Sequence, residues 1–217
     1  MRIKIDLRIF FFGILFFLTK QIEIYAMLML FAFLHELSHM ASGILLGFKP
    51  ETIGINPLGF QITFQTKIEE YKSKVGKVNK NRLKKIVIFL SGPILNLLVA
   101  IIFLFINSGI ITSKDNIIYS NLLLAIFNLL PIYPLDGGRI LKEIIHSYKE
   151  KKETYRIIKN ISKMMVILLT ILASILILYI HNIAFLFVLA YLWYLVIKNQ
   201  KEYEVYEKVA NLTEKME

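Results

Sequence analysis

The sequence predicts an all-α membrane protein: six transmembrane helices, with one short β-hairpin after the second. Three observations carry that expectation. The 217 residues are 56% hydrophobic, with a mean hydropathy of +0.60, above what a soluble domain shows. The apolar residues gather into six runs, several of them close to the roughly 20 residues a helical span requires. If those six runs alternate across a bilayer, 24 of the 26 Lys and Arg residues fall on one side, the asymmetry that sets membrane orientation.

The first run, Leu7–Thr19, follows Arg2, Lys4 and Arg8 and resembles the start of a secretory signal. No small-x-small cleavage site follows it, since the chain continues Thr19-Lys20-Gln21-Ile22-Glu23. An uncleaved span is the expectation. The second run is Ile24–Phe48. After it, Gly, Asn and Pro punctuate two β-prone stretches, Thr52–Ile55 and Phe60–Thr66, as in a hairpin. Such a hairpin is either a simple structured loop or an unpaired edge for an extended peptide. Lys67 to Lys85 is polar and basic, suited to the anionic face of a membrane. The remaining runs are Ile86–Ile111, Ile117–Leu135, Met164–Ile180 and Ile183–Ile197. Residues 1–197 thus form one membrane domain, and 198–217 a short cytoplasmic tail. Only Lys20 and Lys114 lie opposite the basic side, which puts both termini in the cytoplasm.

The net charge of +10 does not imply a nucleic-acid partner, because the cations follow the loops of a membrane topology. There is no cysteine, so disulfides, Fe–S clusters and thiolate-bound zinc are excluded.

Inside the second run stands His35-Glu36-Leu37-Ser38-His39. Histidines at i and i+4 share a helix face, so both imidazoles reach one ion. Zn²⁺ takes neutral imidazole readily and keeps a position open for water in catalytic sites. Glu36, next to the first ligand, suits a general base acting on that water. Packed core histidines are the bland alternative, but three costly side chains within five positions of an apolar segment favour function.

A third ligand must come from elsewhere. Asn128-Leu129-Leu130-Pro131-Ile132-Tyr133-Pro134-Leu135-Asp136-Gly137-Gly138-Arg139 ends the fourth run. Its prolines break the helix and its glycines permit close backbone approach. Asp136 fits as the carboxylate of a two-histidine, one-carboxylate zinc site, or else caps a helix end. Asn128 offers an amide to an oxyanion or to substrate backbone. Ser91-Gly92-Pro93, with Asn96 beyond it, reads as a small-residue patch for helix packing.

In their order and spacing, His35–His39, Ser91 to Asn96 and Asn128 to Arg139 resemble the three signatures of the site-2 protease family. The resemblance implies one zinc per chain held by His35, His39 and Asp136, with Glu36 as the catalytic base or acid. It implies cleavage of a membrane-associated protein within or beside the bilayer. The Asn128-x-x-Pro131-x-x-Pro134-x-Asp136-Gly137 pattern is most similar to the sporulation branch. There the substrate is a pro-sigma factor, the partners include inhibitory membrane proteins, and the location is the outer forespore membrane. Longer members of that branch carry a nucleotide-binding CBS domain after the last span, where this sequence has the short tail 198–217. The rival reading is a membrane metal or ion transporter that uses the same His, Glu and Asp cluster as a relay. A pseudoprotease that only binds partners is the third.

Overall fold

The computed structural model describes residues 2–57, 59–64, 79–106, 114–180 and 184–214. In chain order they form β1 (Arg2–Ile5), α1 (Arg8–Leu18), α2 (Ile22–Leu45), β2 (Pro50–Asn56) and β3 (Gly59–Phe64). Then follow α3 (Asn79–Phe105), α4 (Lys114–Leu129), α5 (Asp136–Tyr148), α6 (Lys151–Ile180) and α7 (Ala184–Glu214).

The expected six spans are not supported. Among the described residues, three helices are long and apolar enough to cross a membrane: Ile22–Leu45, Asn81–Phe105 and Lys152–Ile175. The reason is length. At 1.5 Å per residue, the 11 residues of α1 reach about 16 Å and the 16 residues of α4 about 24 Å, against a hydrocarbon core of about 30 Å. In α7 the apolar stretch ends near Ile197, and the helix continues through a mixed polar and charged segment to Glu214. Position 197 lies within α7.

The expected hairpin is present and larger than the sequence indicated. β2 and β3 pair antiparallel from Asn56↔Gly59 to Pro50↔Phe64. β1 adds in parallel on the other side of β2, from Arg2↔Thr52 to Ile5↔Ile55. Residues 65 and 66, the end of the expected second strand, lie outside the described residues, as does most of the basic loop after it. Period-two alternation divides the sheet into two faces. Lys4, Thr52, Gly54, Asn56, Gln61 and Thr63 line a polar hollow of about 290 Å³, where the Thr52 and Thr63 hydroxyls bond across the strands. Phe60 and Phe64 turn the other way, toward α2.

The chain divides into two compact units, Met1–Leu129 and Leu130–Glu217. In the first, α2 packs against α3, α4 and β3, and α3 also packs on α4. In the second, α6 packs against α5 and α7, around Ile158, Val166, Leu192 and Val196. Trp193 Nε1 donates to Thr170 Oγ1 at 3.0 Å, and the Tyr133 N–H donates to Ser162 Oγ at 3.0 Å, which ties the 130–135 segment to α6.

Candidate metal centre

α2 carries His35 and His39 on its buried face, each 3% exposed. Their Nε2 atoms stand 3.1 Å apart, with the rings edge to face at 89°. Two nitrogens each about 2.0–2.1 Å from one tetrahedral ion would stand about 3.3 Å apart. The pair therefore already has the spacing of a two-histidine bite.

The tautomer of His39 is fixed from behind. Its Nδ1 lies 2.6 Å from the Ile88 carbonyl of α3, which can only accept, so Nδ1 holds the proton and Nε2 carries the lone pair a metal ion would need. Ser91 Oγ lies 3.3 Å from the same Nδ1 and donates to the Ile88 carbonyl at 2.7 Å. Ser38 Oγ donates to the Ser91 carbonyl at 2.9 Å, a second tie between α2 and α3.

Gly92 explains why the ties can form. A Cβ at this position would lie 2.6 Å from His35 Nε2, His39 Nε2 and His39 Cε1. The glycine leaves a cradle against both donor atoms. Pro93, next along α3, lacks the N–H that would bond the carbonyl four residues back. The patch read as helix packing is thus the floor of the histidine pair. Its small residues were visible in the sequence; which side chains they approach was not.

Glu36 is half-buried, and Ile62 of β3 donates its backbone N–H to Glu36 Oε2 at 3.1 Å. β3 runs beside α2 in the same direction. Phe60 packs edge-on against Phe33, with ring centroids 5.0 Å apart. Near the other end of the strand, the Phe64 ring occupies the space where a Cβ of Gly43 would lie. Ten residues of helix and four of strand cover similar lengths, about 15 and 13 Å, so Ile62 falls level with Glu36. The Ile62 N–H points out of the β2–β3 ladder, as main-chain groups of alternate residues on an edge strand do. No sequence signal marked Ile62, because its contribution is main-chain.

Asn128 ends α4, half-buried, and its Nδ2 donates to the Leu124 carbonyl at 3.0 Å. That leaves its second amide hydrogen for another acceptor. In the second unit Asp136 is not at the end of a span but is the first residue of α5, 4% exposed. A helix N-terminus favours an anion there, and Arg139 Nη1 stands 3.8 Å from Asp136 Oδ1. A Cβ at Gly138 would collide with the backbone at Ile132 and Tyr133, so the glycine lets the Pro-bearing segment lie against the start of α5.

Buried paired imidazoles, one tautomer fixed, with the Glu36 carboxylate on the same helix, are the arrangement a helix-borne zinc-peptidase centre requires, in a helix of membrane-spanning length. The chain belongs to peptidase family M50, whose model matches residues 23–114 and 106–172. A zinc metalloprotease of Methanocaldococcus jannaschii is 27% identical over 142 residues, which are 63% of this chain and 38% of that protein. The chain thus spans less than two-fifths of that relative's length. The solved site-2 protease from the same organism matches with a TM-score of 0.66 at 22% identity, covering 90% of this chain and 89% of that one. The two share a fold.

Proposed function

We propose that this protein is an intramembrane zinc metalloprotease that hydrolyses a peptide bond in a membrane-associated protein. The observation that carries the reading is the 3.1 Å pairing of the His35 and His39 Nε2 atoms beside Glu36. M50 membership and three membrane-length helices support it. His35, His39 and Asp136 are the proposed ligands of one zinc, a neutral-imidazole and carboxylate set suited to that metal in a chain without cysteine. When bound, zinc lowers the pKa of a water and polarises the scissile carbonyl. Glu36 takes a proton from the attacking water and delivers it to the leaving amine nitrogen, while the Ile62 N–H holds the carboxylate in place. Asn128 donates its remaining amide hydrogen to the developing oxyanion or to substrate backbone.

A helical substrate must unwind before cleavage, since an intact helix shields its own carbonyls. The β2–β3 hairpin beside α2 supports the reading that the unwound strand is held by its main chain, at positions other than the Ile62 N–H that Glu36 occupies. The closer assignment is to stage IV sporulation protein FB. It rests on the Asn128 to Gly137 pattern, and it makes the substrate a pro-sigma factor, the regulators inhibitory membrane proteins and the location the outer forespore membrane.

The test is zinc content alongside cleavage. Glu36→Gln is expected to keep zinc and lose hydrolysis, since the charge serves proton transfer and not coordination. Asp136→Ala is expected to lose both. A Glu36→Gln protein that cleaves at near the wild-type rate would sink the assignment. One that keeps its zinc and still moves metal across a vesicle membrane would favour the transporter.

A further inference from the structure

Two amide side chains in the first unit are buried beyond what packing explains. Asn96 of α3 and Asn121 of α4 are each 1% exposed. Asn121 Nδ2 donates to the Ile117 carbonyl of its own helix at 2.9 Å, which turns its Oδ1 inward. Neither that Oδ1 nor Asn96 Nδ2 has a hydrogen-bond partner. One orphan is an acceptor and the other a donor. Leaving such a group buried and unpaired costs about 1–3 kcal/mol, a cost that native proteins retain where the group has a use.

Their place in the fold suggests the use. Asn96 stands one turn beyond Gly92 on the same face of α3, and Gly92 abuts both histidine nitrogens. Asn121 stands one turn before the wholly buried Ala125, on the helix that packs against both α2 and α3. One helical turn is about 6 Å, the length of about two residues of extended chain.

We propose that Asn96 and Asn121 form a subsite for the main chain of the unwound substrate, two residues from the scissile bond on the side away from the basic loop. A peptide group taken out of its helix inside a bilayer needs one acceptor for its N–H and one donor for its C=O. Asn121 Oδ1 supplies the acceptor and Asn96 Nδ2 the donor. Both side chains bind main-chain atoms of the substrate, so the subsite selects for a segment that unwinds and not for a side-chain sequence. This inference rests on the protease reading.

The experiment uses the purified zinc-loaded full chain in proteoliposomes. The probes are synthetic single-span peptides with a helix-weakening centre, and copies of the cleaved peptide carrying a backbone ester in place of one amide. Asn96→Leu and Asn121→Leu are expected to keep wild-type zinc content. Their melting temperatures should be equal or higher, because each removes a buried unpaired polar atom. Each should raise KM by about 10-fold at unchanged kcat, as loss of a ground-state contact does. An ester two residues from the scissile bond removes the N–H, and its penalty should vanish in Asn121→Leu but persist in Asn96→Leu. Lower melting temperatures with KM unchanged would overturn the subsite in favour of an interhelical packing bond. An ester penalty undiminished in Asn121→Leu would overturn it too. Wild-type protein that cleaves none of the peptides, yet behaves like Glu36→Gln, overturns the protease reading itself.

Discussion

At Gly92 a single missing methyl group sets how closely α3 approaches two imidazoles. The Cβ that any other residue carries would fall 2.6 Å from both Nε2 atoms, well inside contact distance. Alanine there must push α3 back or turn the rings. Either movement also strains the 2.6 Å contact between His39 Nδ1 and the Ile88 carbonyl, which presents Nε2 as the ligand. Gly92→Ala is expected to weaken zinc binding by at least about 10-fold to 100-fold, the range for loss of supporting contacts around a metal ligand. The measurement is zinc retained against a chelator of known affinity. A protein with wild-type retention would show that the glycine serves helix packing alone. Ser91→Ala tests the same shell more gently, since it removes one hydroxyl at 3.3 Å and leaves the carbonyl in place.

At the scale of the element, β3 is the unexpected participant. Strand and helix are joined at the turn that carries Glu36 by a bond from the Ile62 N–H to Glu36 Oε2. Because that N–H faces away from β2, Ile62→Pro removes it without breaking a rung of the ladder. The expected outcome is hydrolysis slowed by roughly 10-fold, the worth of one hydrogen bond to a charged group, with zinc content unchanged. A rate equal to wild type would show that Glu36 needs no strand to orient it. Much of this arrangement was legible beforehand. The i, i+4 histidines, the intervening acid and the β-prone runs after α2 were all readable from residue type and period. β1 was not, because Arg2-Ile3-Lys4-Ile5 carries its alternation in the charged flank of an apolar run, where it reads as an orientation signal. The division of 136–163 into α5 and the first half of α6 was hidden for a related reason. Amphipathic helices rich in lysine are invisible to a hydropathy criterion that seeks long apolar runs. The backbone contribution of Ile62 had no signal to read, since any side chain brings the same N–H.

At the scale of the whole molecule, the charge distribution bears on which side of the membrane receives the product. Among the described residues three helices, against the expected six, are of membrane length, and the connection between α2 and α3 carries the most Lys and Arg, from Lys49 to Lys85. By the positive-inside rule that connection is expected in the cytoplasm, and α2 is then expected to run inward from Ile22 to Leu45. His39 then lies about 9 Å along the helix from Leu45, submerged but nearer the cytoplasm. Water must reach the site through a polar opening, since the hydrocarbon core holds none, and the shorter path is from the basic side. The prediction is that cleavage releases its soluble product into the cytoplasm. A chain without cysteine allows a direct check by single introduced thiols. Leu45→Cys replaces a side chain 86% exposed, so the substitution disturbs little packing. It is expected to react with a membrane-impermeant maleimide in inverted vesicles and to resist it in intact cells. Labelling of Leu45→Cys from the outer face alone would reverse the direction of α2 and, with it, the compartment that receives the product.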